Sequence, residues 1–214
     1  MMGKLSTFSI VMDKEPIIIM IQNALSSLQV SVSRRVLEDI ADYYEPKSFA
    51  KYEFFVTEGK VSTGAFLMTE GFMRAFTHNP EGEEVTTYFY GKSGHVSEAT
   101  SLFSRTRSVE NIQALTECHG LFLSIDKINT LFHSVPEFRE FGRAMLVKEF
   151  TAYKRRTLSL INQTAEERYS DLINTNKEIF QYVQLKYIAS YLGITDSSLS
   201  RIRKEFSKKH AGNH

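Results

Sequence analysis

Near the start of the chain, apolar residues return every three or four positions: Ile21, Ala24, Leu25 and Leu28, then Val36, Leu37, Ile40 and Ala41. That period predicts two amphipathic helices between about Ile17 and Tyr44, with Ser33 as the cap of the second. From Pro46 to Ile125 the period shortens. The runs Ala65–Thr69, Phe72–Thr77, Val85–Tyr90 and Leu121–Ser124 read as β-strands, rich in aromatic, branched and small apolar residues. Six of the eleven glycines (59, 64, 71, 82, 91 and 94) break this region at the spacing of an antiparallel sandwich or barrel. Glu70-Gly71 reads as a tight hairpin and Asn79-Pro-Glu-Gly-Glu83 as a longer one.

From Pro136 to Ile161 the helical period returns. Pro136 suits a first helical position, where its missing N–H costs nothing. Phe138, Phe141, Met145, Phe150, Tyr153 and Leu160 follow one side, and Arg139, Arg143, Lys148 and Lys154 to Arg156 the other. A stripe of this length is surplus for one small domain and suggests packing against a second copy. Cover by the chain's own β region accounts for it almost as well. Lys154-Arg-Arg156 reads as a solvated face. The helix ends near Asn162, and Thr164-Ala-Glu-Glu167 is a capping box that starts another, so the break reads as a hinge. Tyr169, Leu172 and Ile173 carry that next helix forward.

The last pattern is the most specific. In Leu185–Phe206, Ile188, Ala189 and Leu192 give a short helix an apolar face, and Gly193 suits a turn of positive φ. Thr195 suits an N-cap, and Leu199, Ile202 and Phe206 form the inward stripe of a second helix. Its other face carries Ser197, Ser198, Ser200, Arg201, Arg203 and Lys204. Hydroxyls near a helix start and guanidiniums one turn later match the acceptors of DNA phosphates and guanine edges. An ordinary helical hairpin with a solvated basic face is the plain alternative.

Composition changes the picture little. The 214 residues hold 26 Lys/Arg against 25 Asp/Glu, a net charge of +1, which argues against a wholly basic nucleic-acid coat protein. Charge is uneven, however: residues 185–214 hold six Lys/Arg and two acids. The single cysteine, Cys118, excludes an internal disulfide and a cysteine-ligated cluster. His95 and His119 lack metal-ligand spacing, and no metal site is expected. No nucleophile stands at readable spacing from a base, and no phosphate-cradling loop is present, so an enzyme is not expected. Residues 1–16 read as a disordered leader, and Ile17–Ile21 is too short to span a bilayer, which points to a cytoplasmic protein without membrane contact.

The order of parts now carries a resemblance. The motifs are Thr57-Glu-Gly59, Glu70-Gly71 before a strand, Gln113-Ala-Leu-Thr-Glu-Cys118, Thr164-Ala-Glu-Glu-Arg-Tyr169 and Leu185-Lys-Tyr-Ile-Ala-Ser-Tyr-Leu-Gly-Ile-Thr195. In this order the chain resembles the Crp/Fnr family of bacterial transcription regulators from about Ile17 to Phe206, and the last motif is most similar to Bacteroidetes members. The resemblance implies an α+β chain. An N-terminal antiparallel β-roll (a jelly-roll of cyclic-nucleotide-binding type) with flanking helices would occupy 17–135. A long dimerisation helix and hinge would fill 136–163, and a C-terminal winged helix-turn-helix 164–214.

The same resemblance implies a homodimer on a palindromic double-stranded operator, with RNA polymerase and a small effector as further partners. Thr195 would touch phosphate, while Asp196, Ser197 and Arg201 would read bases. Asp196 and Ser197 depart from the family pattern, so the operator cannot be borrowed. Cyclic-nucleotide sensors of this fold use a Gly-Glu pair for the ribose and an Arg-Ser pair for the phosphate. Here Glu98 and Ala99 stand at the first pair, and Ser108 and Val109 at the second, with Arg107-Ser108 one residue early. A displaced site of Glu98, Arg107 and Ser108 is conceivable. The degenerate signature weighs against cyclic AMP, and an unidentified effector, or none, is the preferred reading; no cofactor is firmly expected. The alternative is a cyclic-nucleotide-binding regulatory module that acts through protein contacts.

Overall fold

The computed structural model describes residues 14–92 and 94–211. Helices α1 (Glu15–Ser27) and α2 (Arg34–Ala41) come first. The leader expected over 1–16 stops short of that bound, because Glu15 and Pro16 already lie in α1 and Lys14 pairs with Asp42. The remainder of that expectation, residues 1–13, lies outside the described residues. Ser33 caps α2 by accepting from the Val36 N–H at 3.5 Å. No helix among the described residues is long and apolar enough to cross a membrane.

Eight strands follow: β1 (Glu45–Phe49), β2 (Phe54–Val56), β3 (Gly64–Glu70), β4 (Met73–His78), β5 (Glu84–Tyr90), β6 (His95–Val96), β7 (Asn111–Ala114) and β8 (Cys118–Ser124). They form two antiparallel sheets of order β1-β8-β3-β6 and β2-β7-β4-β5. A short helix, α3 (Ala99–Ser104), interrupts the strands between β6 and β7. The β3–β4 hairpin turns at Gly71, whose φ of 102° suits glycine. A side chain there would also collide with the Glu117 carbonyl and the Cys118 sulfur.

Alternation in β3 and β4 sorts side chains between three cores. Phe66, Met68, Met73 and Ala75 point into the roll, where Phe49, Tyr90, Val96 and Ile112 meet them. Ala65 and Leu67 face outward and are covered by α1, α2, α4 (Ile125–Ser134) and the start of α5 (Pro136–Asn162). The outward face of the other sheet supplies Phe72 and Phe89 to a third core, shared with the C-terminal helices.

Those helices are α6 (Ala165–Thr175), α7 (Ile179–Tyr182), α8 (Leu185–Leu192) and α9 (Asp196–Ala211). The break from α5 to α6 is two extended residues, Gln163 and Thr164, the second opening the expected capping box: Thr164 Oγ1 accepts from the Glu167 N–H, and Glu167 Oε2 accepts from the Thr164 N–H. The α8–α9 turn is Gly193 at φ 67°, with the Ile194 N–H returning to the Ala189 carbonyl. Among the described residues no strand follows Ser124, so the wing expected after the helix-turn-helix is not part of the observed unit.

Gly193→Ala is expected to lower unfolding stability by about 1–2 kcal/mol, the cost of a Cβ in the left-handed region, and a denaturant midpoint matching the parent would contradict this.

Candidate functional site

The recognition-type helix is built from its buried side outward. Leu199 and Ile202 are almost fully buried, and Phe206 packs edge-on against Tyr169 of α6, 5.4 Å between ring centroids. These anchors set the helix's rotation. The opposite face therefore presents Asp196, Ser197, Ser200, Arg201 and Lys204 to solvent, with Ser198 and Arg203 half-buried at its margins. Among the described residues, Arg201, Arg203 and Lys204 have no acidic partner within ion-pair distance. Thr195 is exposed and caps the helix, its Oγ1 accepting from the Ser198 N–H at 3.3 Å. Of the eight residues singled out from the sequence, six are exposed at this end and face of α9, while the Thr195 hydroxyl is engaged with those of Ser197 and Ser198.

Helix α8 is held against β4 and β5 by polar and aromatic contacts. Ser190 Oγ accepts from the Thr86 N–H at 2.8 Å and donates to the Glu84 carbonyl at 3.1 Å. Arg74 is 1% exposed, pairs with Glu84, and is sandwiched between Phe76 and Tyr187, 4.0 and 3.6 Å from their ring centroids. Phe72 stacks on Tyr182 at 4.8 Å, and Phe89 meets Tyr191 at 5.1 Å. Arg156, expected on a solvated face, is instead half-buried: it donates to the Tyr191 carbonyl at 2.6 Å and lies 3.7 Å over the Tyr191 ring. Burial presses its pKa down. The sequence signal for this clamp is faint, because Arg74 sits in a strand as an isolated charge and Arg156 within a basic run.

The residues considered for an effector do not assemble into a phosphate site. Glu98 is buried and spent as the N-cap of α3, accepting from the Ser101 N–H at 2.7 Å. Ala99 lies half-buried in the first turn. Ser108 is buried in a local turn, donating to the Glu110 carbonyl and accepting from its N–H. Arg107 is exposed, and Val109 is 72% exposed. A displaced Glu98–Arg107–Ser108 site therefore lacks a buried guanidinium.

What lies between the roll and α5 is a cavity of about 150 Å³ lined by Tyr88, Tyr90, His95, Lys148, Glu149 and Tyr153, among others. Its titratable lining is three phenols, one carboxyl, one lysine and one imidazole. Tyr153 lies within electrostatic reach of Glu98, Glu110 and Glu149 together, and desolvation followed by these charges pushes its phenol up. Burial lifts Glu149 to about 7 and raises Glu110, while burial and then Lys148 lower His95 to about 4. A phosphate monoanion would meet the Glu149 carboxyl here, and no guanidinium on the lining. The cavity does not fit a cyclic nucleotide in the family's usual mode.

The long helix divides its stripe. Phe138 and Phe141 are buried in the outer core of the roll, and Met145 packs against it, so these three do not face a second copy as expected. Tyr153 is 41% exposed but leans on Tyr88 at 5.9 Å. Exposure lies further along: Val147 54%, Phe150 68% and Ile161 76%, with Leu146, Leu158 and Leu160 also open. Of these, only Phe150 and Leu160 were singled out beforehand; the rest were hidden in a segment without clean periodicity.

Comparison with known proteins agrees with this architecture. Residues 46–134, from β1 to the end of α4, match the family profile "Cyclic nucleotide-binding domain". No curated protein matches the chain. Among solved structures, FixK2 from Bradyrhizobium japonicum is similar with a TM-score of 0.66 at 14% identity, over 78% of this chain and 86% of that one. The c-di-GMP-responsive global regulator CLP from Xanthomonas campestris gives 0.63 at 14% identity, over 83% and 93%. A protein assigned to the Crp/Fnr family from Eubacterium rectale gives 0.65 at 14% identity, over 83% and 85%.

The Glu149 carboxyl sets a pH test. Its folded pKa, about 7, lies above the ordinary value of 4.5, so the folded chain binds more protons between those limits. Stability is therefore lost as pH rises through that window. Glu149→Gln is expected to raise thermal stability at pH 8 and to match the parent at pH 4.5; an equal offset at both pH values would refute the burial argument.

Sheet topology, helix order and profile match agree: residues 46–134 are similar to the cyclic nucleotide-binding domain, and the chain shares the fold of the solved Crp/Fnr-type regulators.

Proposed function

We propose that this chain is a homodimeric, sequence-specific DNA-binding transcription regulator. One observation carries the reading: α9 is anchored by Leu199 and Ile202 while Ser197, Ser200, Arg201 and Lys204 stand exposed together on its other face. In this reading Thr195 and Ser198 bind phosphate at the helix start. Asp196, Ser197 and Arg201 face base edges, and Arg203 and Lys204 add phosphate contacts. A forked guanidinium at Arg201 suits guanine O6 and N7, which Lys cannot match in geometry. Asp196 either accepts from a cytosine amino group or serves the helix start alone.

Two copies are needed to span a palindrome, with recognition helices about 34 Å apart, one turn of duplex. The exposed Val147, Phe150, Leu158 and Ile161 of α5 support pairing of that helix with its counterpart, since an apolar row of this kind is costly to leave in water. Regulation then acts on where α8 sits. Its contacts with β4 and β5 add hydrogen bonds, the tilted Phe89–Tyr191 pair and the buried Arg74 to a shared apolar cluster, and the polar share of such an interface exchanges partners at lower cost than an aliphatic core. A change in the roll or along α5 shifts the population of docked and rotated helix-turn-helix units, and so the spacing of the two α9 helices. The neighbours' roles as regulators favour this class over an enzyme. An RNA polymerase contact follows only if the chain activates transcription.

Selection on random duplexes with the full chain, with and without cyclic AMP, tests the reading. Recovery of a palindrome independent of cyclic AMP is expected, and recovery of none would favour a module acting through protein contacts. Arg201→Ala should weaken binding to the selected site by about 1–3 kcal/mol while leaving random-duplex binding nearly intact; equal loss on both would reject base reading by Arg201. Phe150→Asp should shift the sedimenting species from dimer to monomer at micromolar concentration, and an unchanged dimer would remove α5 from the interface.

A further inference from the structure

A second crevice lies on the other side of the hinge, enclosed by α5, α6, α8 and the end of β5. Its volume is about 630 Å³, within the range of small-molecule sites. Three arginines line it, Arg155, Arg156 and Arg168, against one acid, Asp171. That acid is engaged, accepting from Gln163 Nε2 at 2.9 Å. Arg168 donates from Nε to the Leu192 carbonyl at 3.0 Å and from Nη1 to the Gln163 carbonyl at 2.6 Å. Arg156 likewise spends one nitrogen on the Tyr191 and Thr86 carbonyls. Among the described residues neither guanidinium has a carboxylate partner, though both are half-buried and near enough to repel each other.

Backbone carbonyls satisfy hydrogen-bonding geometry but leave the positive charge uncompensated. Arg155, exposed at the crevice, adds a third cation. The rings of Tyr88, Phe89 and Tyr191 supply flat apolar surface on the same lining. Gln163 Oε1 is buried there without a donor, an acceptor that a base amino group or a ribose hydroxyl would satisfy.

We propose that this hinge crevice binds a phosphorylated ligand of the nucleotide class, its phosphate between Arg155, Arg156 and Arg168 and its base toward the tyrosines. The crevice borders the cavity between the roll and α5, sharing Tyr88, Phe89 and Ala152 with it, but the three arginines line the crevice alone. Binding there does not depend on the DNA-binding reading; only its regulatory consequence does. An occupant would tie the end of α5 to α6 and α8 and so fix the angle at Gln163.

Titration calorimetry on the full chain tests this with cyclic AMP, GTP and a cyclic dinucleotide, and with pyrophosphate as the probe lacking a base. At least one nucleotide should bind at micromolar concentration and more tightly than pyrophosphate. Arg155→Gln, which removes no structural contact, and Arg168→Lys, which keeps the charge and loses the fork, should each weaken it roughly tenfold. Arg107→Gln removes an exposed arginine of the roll and should leave affinity unchanged, and thermal melts confirm that each variant is folded. Absence of binding by all probes at millimolar concentration overturns the proposal. So does binding that both hinge variants leave intact, or that Arg107→Gln weakens equally. A failed duplex selection alongside positive calorimetry would reject the DNA reading and leave this site standing.

Discussion

The outward face of β4 and β5 is where the two halves of this chain become one object. Phe72, Phe89 and Leu115 of the roll belong to the same apolar cluster as Ile188, Leu192, Leu199 and Ile202 of the C-terminal helices. Without that face, α8 would have one side uncovered. Around the cluster runs a polar frame in which Arg74 is the costly member: a fully buried guanidinium with one acidic partner and two nitrogens, Nε and Nη1, left without acceptors. Two aromatic rings offset part of that cost by cation–π contact. An interface made this way is specific in geometry and modest in net strength, which suits parts that must change their relation.

The roll carries the same lesson in its interior. A sensor for an anionic nucleotide needs a buried fork of donors, and this roll has put its buried polar groups to structural use. Glu98 caps α3, Ser101 accepts from the Ser62 N–H and donates to the Thr106 carbonyl, and Ser108 closes its own turn. The adjacent cavity gathers three phenols and the Glu149 carboxyl, whose ionisation burial opposes. The domain profile is kept while the one guanidinium among the candidate residues, Arg107, stands exposed. Fold and ligand are thus separable in this scaffold.

How far the residues foretold this depends on where the information is local. Ser33, Thr164-Glu167 and Gly193 act within one turn of chain, and each boundary they mark is observed. Strands β3 and β4 bury most of their side chains and β5 and β8 three of seven each, and all four show dense apolar runs. Strand β1, Glu45-Pro-Lys-Ser-Phe49, is an edge strand that buries only Phe49, and nothing in its composition distinguishes it from a loop. The exposed face of α9 was legible because its buried face has strict helical spacing. The clamp and the hinge crevice were not, since Arg74, Arg156 and Arg168 are far apart in sequence and acquire partners only through tertiary packing. Phe138 and Phe141 show the converse: periodicity marks a residue as apolar-facing without saying whose surface covers it.

The extended pair Gln163–Thr164 between α5 and α6 has a mechanical corollary. Both flanking helices are closed at their ends, one by the Gln163 N–H returning to the Ser159 carbonyl and the other by its capping box. Bending freedom is thereby concentrated in the dihedrals of Gln163 and its immediate neighbours, like a universal joint between two rods. A few degrees of torsion there, multiplied along α6 and α8, displace the far end of α9 by several times more than they move any atom near the joint.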